Sequence, residues 1–564
     1  MTQLTLALHV SAQPVEEAVT PGHGPGRNRV RDQGTGQGDG VGRREFLGLS
    51  AGGALAALTA AKAESLGRRA RASAGTRTDF PAIVIGSGFG GSVAALRLGR
   101  AGVETLVVER GREWPIPNDT ELVIGNQDRP NSDMFWMRHI TDWPAVVPTL
   151  ISPVPGVMEL SSEAHLNIAC GAAVGGGSIV YTGVTVPPPR RYFERLYPGL
   201  SWDEFATVWF PKVRATLNAS PMPPDVYGSA PFTHSRVWDA HMRKAGHAPA
   251  PLDSTFDWGV VRRELAGSVR PSAIAGETDF ACSDGAKRSL TRNYLPSALA
   301  TGKVSLRPLT EVTGLGRTAS GRYTVEVRRL AADGSAHGAE SLLCDRLFVC
   351  AGTLNTNRLL VAARETGALP DLPAEIGTGF GDNGDQFNLY AYTDLPAGPS
   401  QGSPCASGTF HDSEFGIPMR AESWQLLGAH GLPVIHTLTM TADFDNRGTF
   451  AYDRLRGRVR LADWTRDKSR PSADAGAALN AKVIAANPGV VPFSLTWPFT
   501  LTAHPLGGVV LGRSTDLYGR VKGPRGLYVL DGSLIPGTVG GANPSLSIAA
   551  LAERAMAAVV RDGG

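Results

Sequence analysis

A short apolar run, Asp79-Phe80-Pro81-Ala82-Ile83-Val84-Ile85, has the character of a strand buried on both faces. It passes directly into Gly86-Ser87-Gly88-Phe89-Gly90-Gly91 and then into Ser92 to Arg100, where apolar residues recur at helical spacing. A second strand, Glu104 to Val108, follows and ends in Glu109. Strand, glycines, helix, strand and acid in this order form the dinucleotide-binding fingerprint. Gly86 permits the tight turn, Gly88 lets the backbone approach a pyrophosphate, and Gly91 lets helix and strand pack closely. The helix N-terminus offers free N–H groups to phosphate, and Glu109 stands where an adenosine ribose would present its hydroxyls.

The pattern continues downstream. Residues 323–330 and 342–350 read as strands; Ala351-Gly352-Thr353-Leu354-Asn355-Thr356 turns into a helix, Asn357 to Thr366, a second strand–turn–helix of the cofactor-facing kind. Gly377 to Asp385, with Asp382-Asn383-Gly384, reads as a turn and a domain crossover. Near the C-terminus, Gly526 to Pro536 reads as a strand ending in an Asp531-Gly532 turn. Gly175-Gly176-Gly177-Ser178 would let backbone come close to a ring system. The 391–440 region mixes Pro, Gly and aromatics and is expected to roof a substrate cavity.

Composition narrows the picture in three ways. With 564 residues the chain is too long for one core, so two interleaved domains are expected. Net charge is only +3, and much of the positive excess sits in an N-terminal arginine cluster, which argues against nucleic acid as a partner. The five cysteines, Cys170, Cys282, Cys344, Cys350 and Cys405, form no CxxC pair and have no His at ligand spacing, so no metal is expected. The N-terminal segment has its own logic. Gly42-Arg43-Arg44-Glu45-Phe46-Leu47, an apolar stretch to Ala61 and Ala72-Ser73-Ala74 together form a twin-arginine signal, cleaved near Ala74. The mature protein is therefore expected to be secreted, exported already folded.

The fingerprint, the GGGS segment followed by Val184-Thr185-Val186-Pro187-Pro188, His504-Pro505-Leu506-Gly507-Gly508, and Asn543-Pro544 before a helix occur in the order found in glucose–methanol–choline (GMC) oxidoreductases. Phe256-Asp257-Trp258-Gly259, Lys287-Arg288-Ser289-Leu290, Arg447-Gly448-Thr449-Phe450 and Trp464-Thr465-Arg466-Asp467 resemble bacterial cholesterol oxidases in particular. The resemblance runs from about Phe80 to Val560. It implies an α/β fold: a two-dinucleotide-fold FAD-binding domain, from 80–113, 287–379 and 519–564, interleaved with an α+β substrate domain containing a β-sheet, from 114–286 and 380–518. It also implies that Val312 pairs with adenine through its backbone, and that Gly177, Gly532, Asn543 and Pro544 contact a non-covalent FAD.

Moving a hydride from a secondary alcohol to flavin requires that the hydroxyl proton leave as the hydride does. A His suits that work near neutral pH, and an amide adds hydrogen bonding without charge. The resemblance assigns these roles to His504 and Asn543. The expected reaction is oxidation of the 3β-hydroxyl of cholesterol or a related sterol, with O2 reduced to H2O2. The alternatives are another bulky alcohol, or a secreted flavin- or lipid-binding protein without turnover. A monomer that touches sterol-bearing membrane surfaces transiently is expected. Two departures from the family pattern stand out. Matching backward from Arg447 brings the family's isomerising Glu to Gly431-Leu432-Pro433-Val434, where there is no carboxylate, so isomerisation to the 4-en-3-one is in doubt. Glu414 and Glu422 lie upstream and could replace that Glu if the loop is rearranged, but each reads first as a solvated surface residue. Tyr181 replaces the family's flavin-adjacent Asn.

Overall fold

The computed structural model describes residues 77–563 apart from 127–128, 142–148, 164, 427–428 and 494–499. The twin-arginine segment and its cleavage site lie outside the described residues.

The first apolar run is strand β1 (Asp79–Ile85), followed by helix α1 (Phe89–Arg100) and β2 (Thr105–Val108). They join β3 (Val304–Arg307), β4 (Thr310–Arg317), β5 (Tyr323–Leu330), β6 (Ala336–Val349) and the short strand Leu527–Val529 in one seven-stranded sheet. Its order is β3-β2-β1-β6-β5-β4, with Leu527–Val529 paired to β6. The pairings β3–β2, β2–β1, β1–β6 and β6 with 527–529 are all parallel. Their carboxyl ends therefore share one edge, and the loops that open there, at Gly86, Glu109, Ala351 and Asp531, come from four distant parts of the sequence. The core strands carry the expected signature of two covered faces: every residue from Ala82 to Ile85 and from Thr105 to Val108 is buried or nearly so.

Helix α1 starts at Phe89, three residues earlier than its periodicity suggests. Gly86 is held at φ +93°, and a Cβ there would stand 2.3 Å from the Cys350 carbonyl oxygen. Gly90 lies in the first turn of α1, where a Cβ would fall 1.7 Å from the Leu530 carbonyl oxygen. Packing against two neighbouring strands, rather than helix propensity, thus dictates these residues. Helix α2 (Thr233–Lys244) precedes the second sheet in the chain, and α3 (Gly352–Glu365) begins five residues before the expected Asn357. The Asp531 carboxylate accepts hydrogen bonds from the Gly352 N–H at 2.9 Å and the Thr356 hydroxyl at 2.5 Å, so a distant residue caps this helix and extends it.

A six-stranded antiparallel sheet carries the other half of the molecule. Its strands are 490–492, β7 (Gln386–Tyr392), β10 (Val434–Thr441), β9 (Met419–Trp424), β8 (Ser407–His411) and 250–251, in that order. The pleat sorts its side chains. Met419, Ala421, Ile435 and Tyr390 pack with Trp238 and Met242 of α2 and with Ala475, Leu479 and Val483 of helix α4 (Arg466–Ala486). Leu438, Met440 and Trp424 face the opposite way and join the core shared with α1 and helix α5 (Pro544–Asp562). Helix α5 is tied to α1 by a buried ion pair: Arg97 donates twice to Glu553, at 2.7 and 2.6 Å, and the Tyr294 hydroxyl donates to the same carboxylate at 3.0 Å.

Residues 378–381, expected to be part of a turn, are a strand that pairs with 448–453 and 506–508. The turn is confined to Asp382-Asn383-Gly384, with Asn383 at φ 56° and Gly384 at φ 67°. The buried cysteines behave as small apolar side chains: Cys344 and Cys350 sit in the core at the end of β6, and all five are free thiols.

Candidate active site

A cavity of about 1330 Å³ opens at the carboxyl edge of the parallel sheet. Gly86, Gly88, Glu109, Gly177, Val312, Gly532, Asn543, Pro544 and His504 all border it, although they span more than four hundred positions of sequence. Of the expected site residues, only Gly91 stands back from the cavity. Its role is packing, since a Cβ there would lie 2.0 Å from the Gly86 carbonyl oxygen.

The cradle is built from backbone. Nothing lies closer than 4.0 Å to where a Cβ on Gly88 would be, and nothing within 4 Å at Gly177, so both glycines present open backbone to the cavity. The two loops are joined through Ser87, whose hydroxyl accepts the Gly175 N–H at 2.9 Å and donates to Glu109 at 2.7 Å. Glu109 also accepts the Ser87 N–H and the Gly111 N–H, both at 2.9 Å, which orients its carboxylate at the end of β2. Val312 lies at a bulge in β4, where the register with β5 slips between Val312 and Gly314. The Thr353 hydroxyl and the Asn543 Oδ1 are buried without a protein partner, although both residues border the cavity. Orphaned polar atoms facing an open-backbone cradle at a helix N-terminus fit a dinucleotide with a polar ring edge.

His504 closes one end. Its Nδ1 lies 2.9 Å from Asp385 Oδ1, while Asp385 Oδ2 accepts the Thr502 hydroxyl at 3.0 Å and the backbone N–H groups of Ala503 and His504 at 3.0 and 3.1 Å. A carboxylate that accepts so many donors is held as an acceptor, so the imidazole carries its proton on Nδ1 and leaves Nε2 for the cavity. Burial pushes the His504 pKa down, but the charge and hydrogen bond of Asp385, with Glu422 nearby, outweigh it and leave the pKa raised. Asp385 was not singled out from sequence, though the signal was there: it directly follows the Asp-Asn-Gly turn. Asn383 pins that turn, donating from Nδ2 to the Ala542 carbonyl at 3.1 Å and accepting the Val539 N–H at 2.9 Å. One turn thus sets the position of Asp385 against the segment that carries Asn543.

Asn543 caps no N–H of its own helix; its amide instead donates to Glu422 Oε2 at 3.2 Å. Glu422 is fully buried on β9, and its Oε1 has no protein partner. This overturns the reading of Glu422 as a solvated surface residue. The pleat is the reason: Arg420, Glu422 and Trp424 alternate with Met419 and Ala421, so the charged positions face residues 541–543, and Arg420 donates to the Gly541 carbonyl at 2.9 Å. Burial raises the Glu422 pKa, against the lowering influence of Arg420, Asn543 and His504. Glu422 pairs with Leu438 of the neighbouring strand β10. Glu414 is solvent-facing as expected, 39% exposed and paired with Lys482.

Two further groups shape the site. Tyr181 borders the cavity with its hydroxyl bonded to Thr255 Oγ1 at 2.5 Å and its ring edge-on to Phe89. The buried Lys287 ammonium donates to the carbonyls of Ile179, Tyr181 and Thr278 at 2.6–2.7 Å, clamping the segment that follows the GGGS glycines. Its signal was the Lys-Arg-Ser-Leu motif, which carried no hint that the ammonium is spent on backbone. Of the remaining histidines in this half, His436 stacks on Trp424, and that indole borders the cavity.

Residues 460–552 match the family model described as GMC oxidoreductase. Among curated proteins, the chain is 27% identical over 555 residues to a cholesterol oxidase of Mycobacterium tuberculosis (strain ATCC 25618 / H37Rv), covering 85% of this chain and 91% of that protein. It is 23% identical over 553 residues to a cholesterol oxidase of Acinetobacter baumannii, covering 85% and 94%. An uncharacterised GMC-type oxidoreductase of M. tuberculosis is 26% identical over 528 residues, covering 85% and 75%. Among solved structures, pyridoxine 4-oxidase from Mesorbium loti superposes with a TM-score of 0.58 at 17% identity, covering 85% of this chain and 99% of that one. A fungal aryl-alcohol oxidase does so at 0.58 and 14%, covering 86% and 100%. With an open-backbone dinucleotide cradle facing a carboxylate-oriented histidine, the chain is similar to the GMC oxidoreductases over most of its length and is a flavin-dependent alcohol oxidoreductase.

Proposed function

We propose that the protein oxidises the 3β-hydroxyl of a sterol such as cholesterol to the ketone, using non-covalently bound FAD and passing the electrons to O2 to give H2O2. The observation that carries this reading is that His504 and Asn543 both border the dinucleotide cavity, with the buried Glu422 hydrogen-bonded to Asn543 behind it. The similarity to two cholesterol oxidases supports the substrate class.

Gly88, Gly177, Gly532 and Pro544 would hold the FAD, with Glu109 toward its ribose and Val312 toward its adenine. Bound FAD supplies the hydride acceptor. The chain's own residues manage the proton and the geometry. His504 Nε2 accepts the hydroxyl proton as the C–H hydride departs, and Asp385 keeps the ring in the tautomer that makes this possible. The raised basicity of His504 favours that acceptance. Asn543 holds Glu422 with its Nδ2 and offers Oδ1 to the reacting end of the substrate. Glu422, buried beside Asn543 with Oε1 unpartnered, is the carboxylate we assign to taking a proton from C4 and returning it at C6, which converts the 5-en-3-one into the conjugated 4-en-3-one. The isomerisation that the sequence put in doubt is thereby restored to the proposal.

The proposal includes assembly of the FAD-binding domain from about 80–113, 287–379 and 519–564, with the remainder forming the substrate domain, and export of the folded enzyme by the twin-arginine route. Replacing Arg43 and Arg44 by Lys should leave active enzyme inside the cell; undiminished enzyme in the medium would refute that route. A second reading, oxidation of a different bulky alcohol, is favoured by the aromatic wall that Tyr181 and the His436-stacked Trp424 give the cavity. An aerobic assay with cholesterol distinguishes the readings. Peroxide with prompt formation of the conjugated enone is expected; peroxide only with aromatic or other alcohols would replace the sterol by that class.

A further inference from the structure

Away from the flavin cavity, three side chains meet at the edge of the six-stranded sheet. His411 ends β8, His247 follows α2, and Glu414 lies in the turn after β8. One ligand-capable atom from each falls within 4.8 Å of the others. Glu414 Oε2 lies 3.5 Å from His411 Nδ1 and 3.8 Å from His247 Nδ1. These gaps are long for hydrogen bonds. They are close to the spacing of roughly 3.3–3.4 Å between ligands of a tetrahedral ion with bonds of about 2.0–2.1 Å.

We propose that His247, His411 and Glu414 form a divalent metal site of the zinc type, which fastens the end of β8 to the loop after α2. No metal was expected from sequence: His411 and Glu414 stand three positions apart, but only the fold brings His247, from far upstream, to them.

Three observations point to an ion. The His247 side chain is only 6% exposed; its Nε2 is buried without a partner and its Nδ1 lies 3.8 Å from Glu414 Oε2. On His411, Nε2 lies 2.8 Å from Thr409 Oγ1, a contact that holds the ring with Nδ1 turned toward Glu414. Lys482 of α4 holds the other carboxylate oxygen, Oε1, which orients Oε2 toward the two rings. Glu414 leaves one side of the site open to solvent, where water completes the coordination.

The test uses untagged, flavin-loaded enzyme stripped with chelator and dialysed against zinc chloride, with bound zinc measured by mass spectrometry and stability by thermal unfolding. About one zinc per chain and a zinc-dependent rise in Tm are expected. Both should vanish in E414Q and H247N, and T409V should weaken zinc binding by about 10- to 100-fold. E414Q alters a solvent-facing side chain, so its flavin content serves as the folding control. Zinc binding and Tm shifts equal in wild type, E414Q and H247N would overturn the site, as would no zinc above background in the wild type.

Discussion

The two halves of this site are made in different ways. The dinucleotide half is read along the chain: glycines at fixed offsets after a strand, an acid at the end of the next strand, an Asp-Gly turn near the C-terminus. Each acts where it stands in sequence, because each shapes the backbone of its own loop. The alcohol half is assembled across the chain. His504 depends on Asp385, more than a hundred residues earlier, and Asn543 depends on Glu422, a similar distance away. Backbone sites therefore tolerate little change at single positions, while side-chain sites are spread over strands whose pleat decides what faces inward.

The largest expected effect tests the local half. Gly90→Ala places a methyl onto the Leu530 carbonyl with no flexible side chain to yield, so destabilisation of more than about 4 kcal/mol and loss of flavin-loaded protein are expected. Thermal unfolding and the flavin-to-protein absorbance ratio measure it; a stable yellow variant would show that the strand–helix contact is looser than described.

Asp385→Asn probes the assembled half. Turnover should fall by about 100-fold or more, as when a histidine loses the carboxylate that fixes its tautomer. The pH profile separates this from a structural effect. Asp385 raises the His504 pKa, and the reaction needs the neutral ring, so activity falls as pH drops through that pKa. Removing the charge lowers the pKa and should move the acid limb of kcat/KM to lower pH; an unmoved limb would deny the coupling.

Glu422→Gln should separate two steps. Enone formation should drop by about 100-fold or more while peroxide formation changes by less than about tenfold. Equal losses in both would place Glu422 in the oxidation itself. Tyr181→Phe should do least, with changes below about fivefold, because it removes one neutral hydrogen bond worth about 1 kcal/mol, to Thr255 and not to the cavity.

The same contrast explains what was legible in the sequence. The fingerprint, the parallel strands and the residues that cradle the cofactor were visible because glycine spacing and apolar runs act locally. His504 and Asn543 were visible through resemblance. The burial of Glu422 was missed because it depends on the pleat, although the alternation Arg420, Glu422, Trp424 carried a signal of it. Helix α3 was placed too late because its cap, Asp531, lies in another part of the chain. The cluster of His247, His411 and Glu414 was hidden because His247 lies far upstream of the His411–Glu414 pair.

The central claim is that His504 takes the hydroxyl proton as an alcohol delivers hydride to the bound flavin. Rapid anaerobic mixing of the holoenzyme with cholesterol, following the yellow flavin absorbance, tests it without the step involving oxygen. The wild type should bleach promptly, and His504→Gln should bleach about 100- to 10,000-fold more slowly with flavin still bound. Equal bleaching rates in the two proteins would contradict the role given to His504, and a wild type that stays yellow would contradict the sterol.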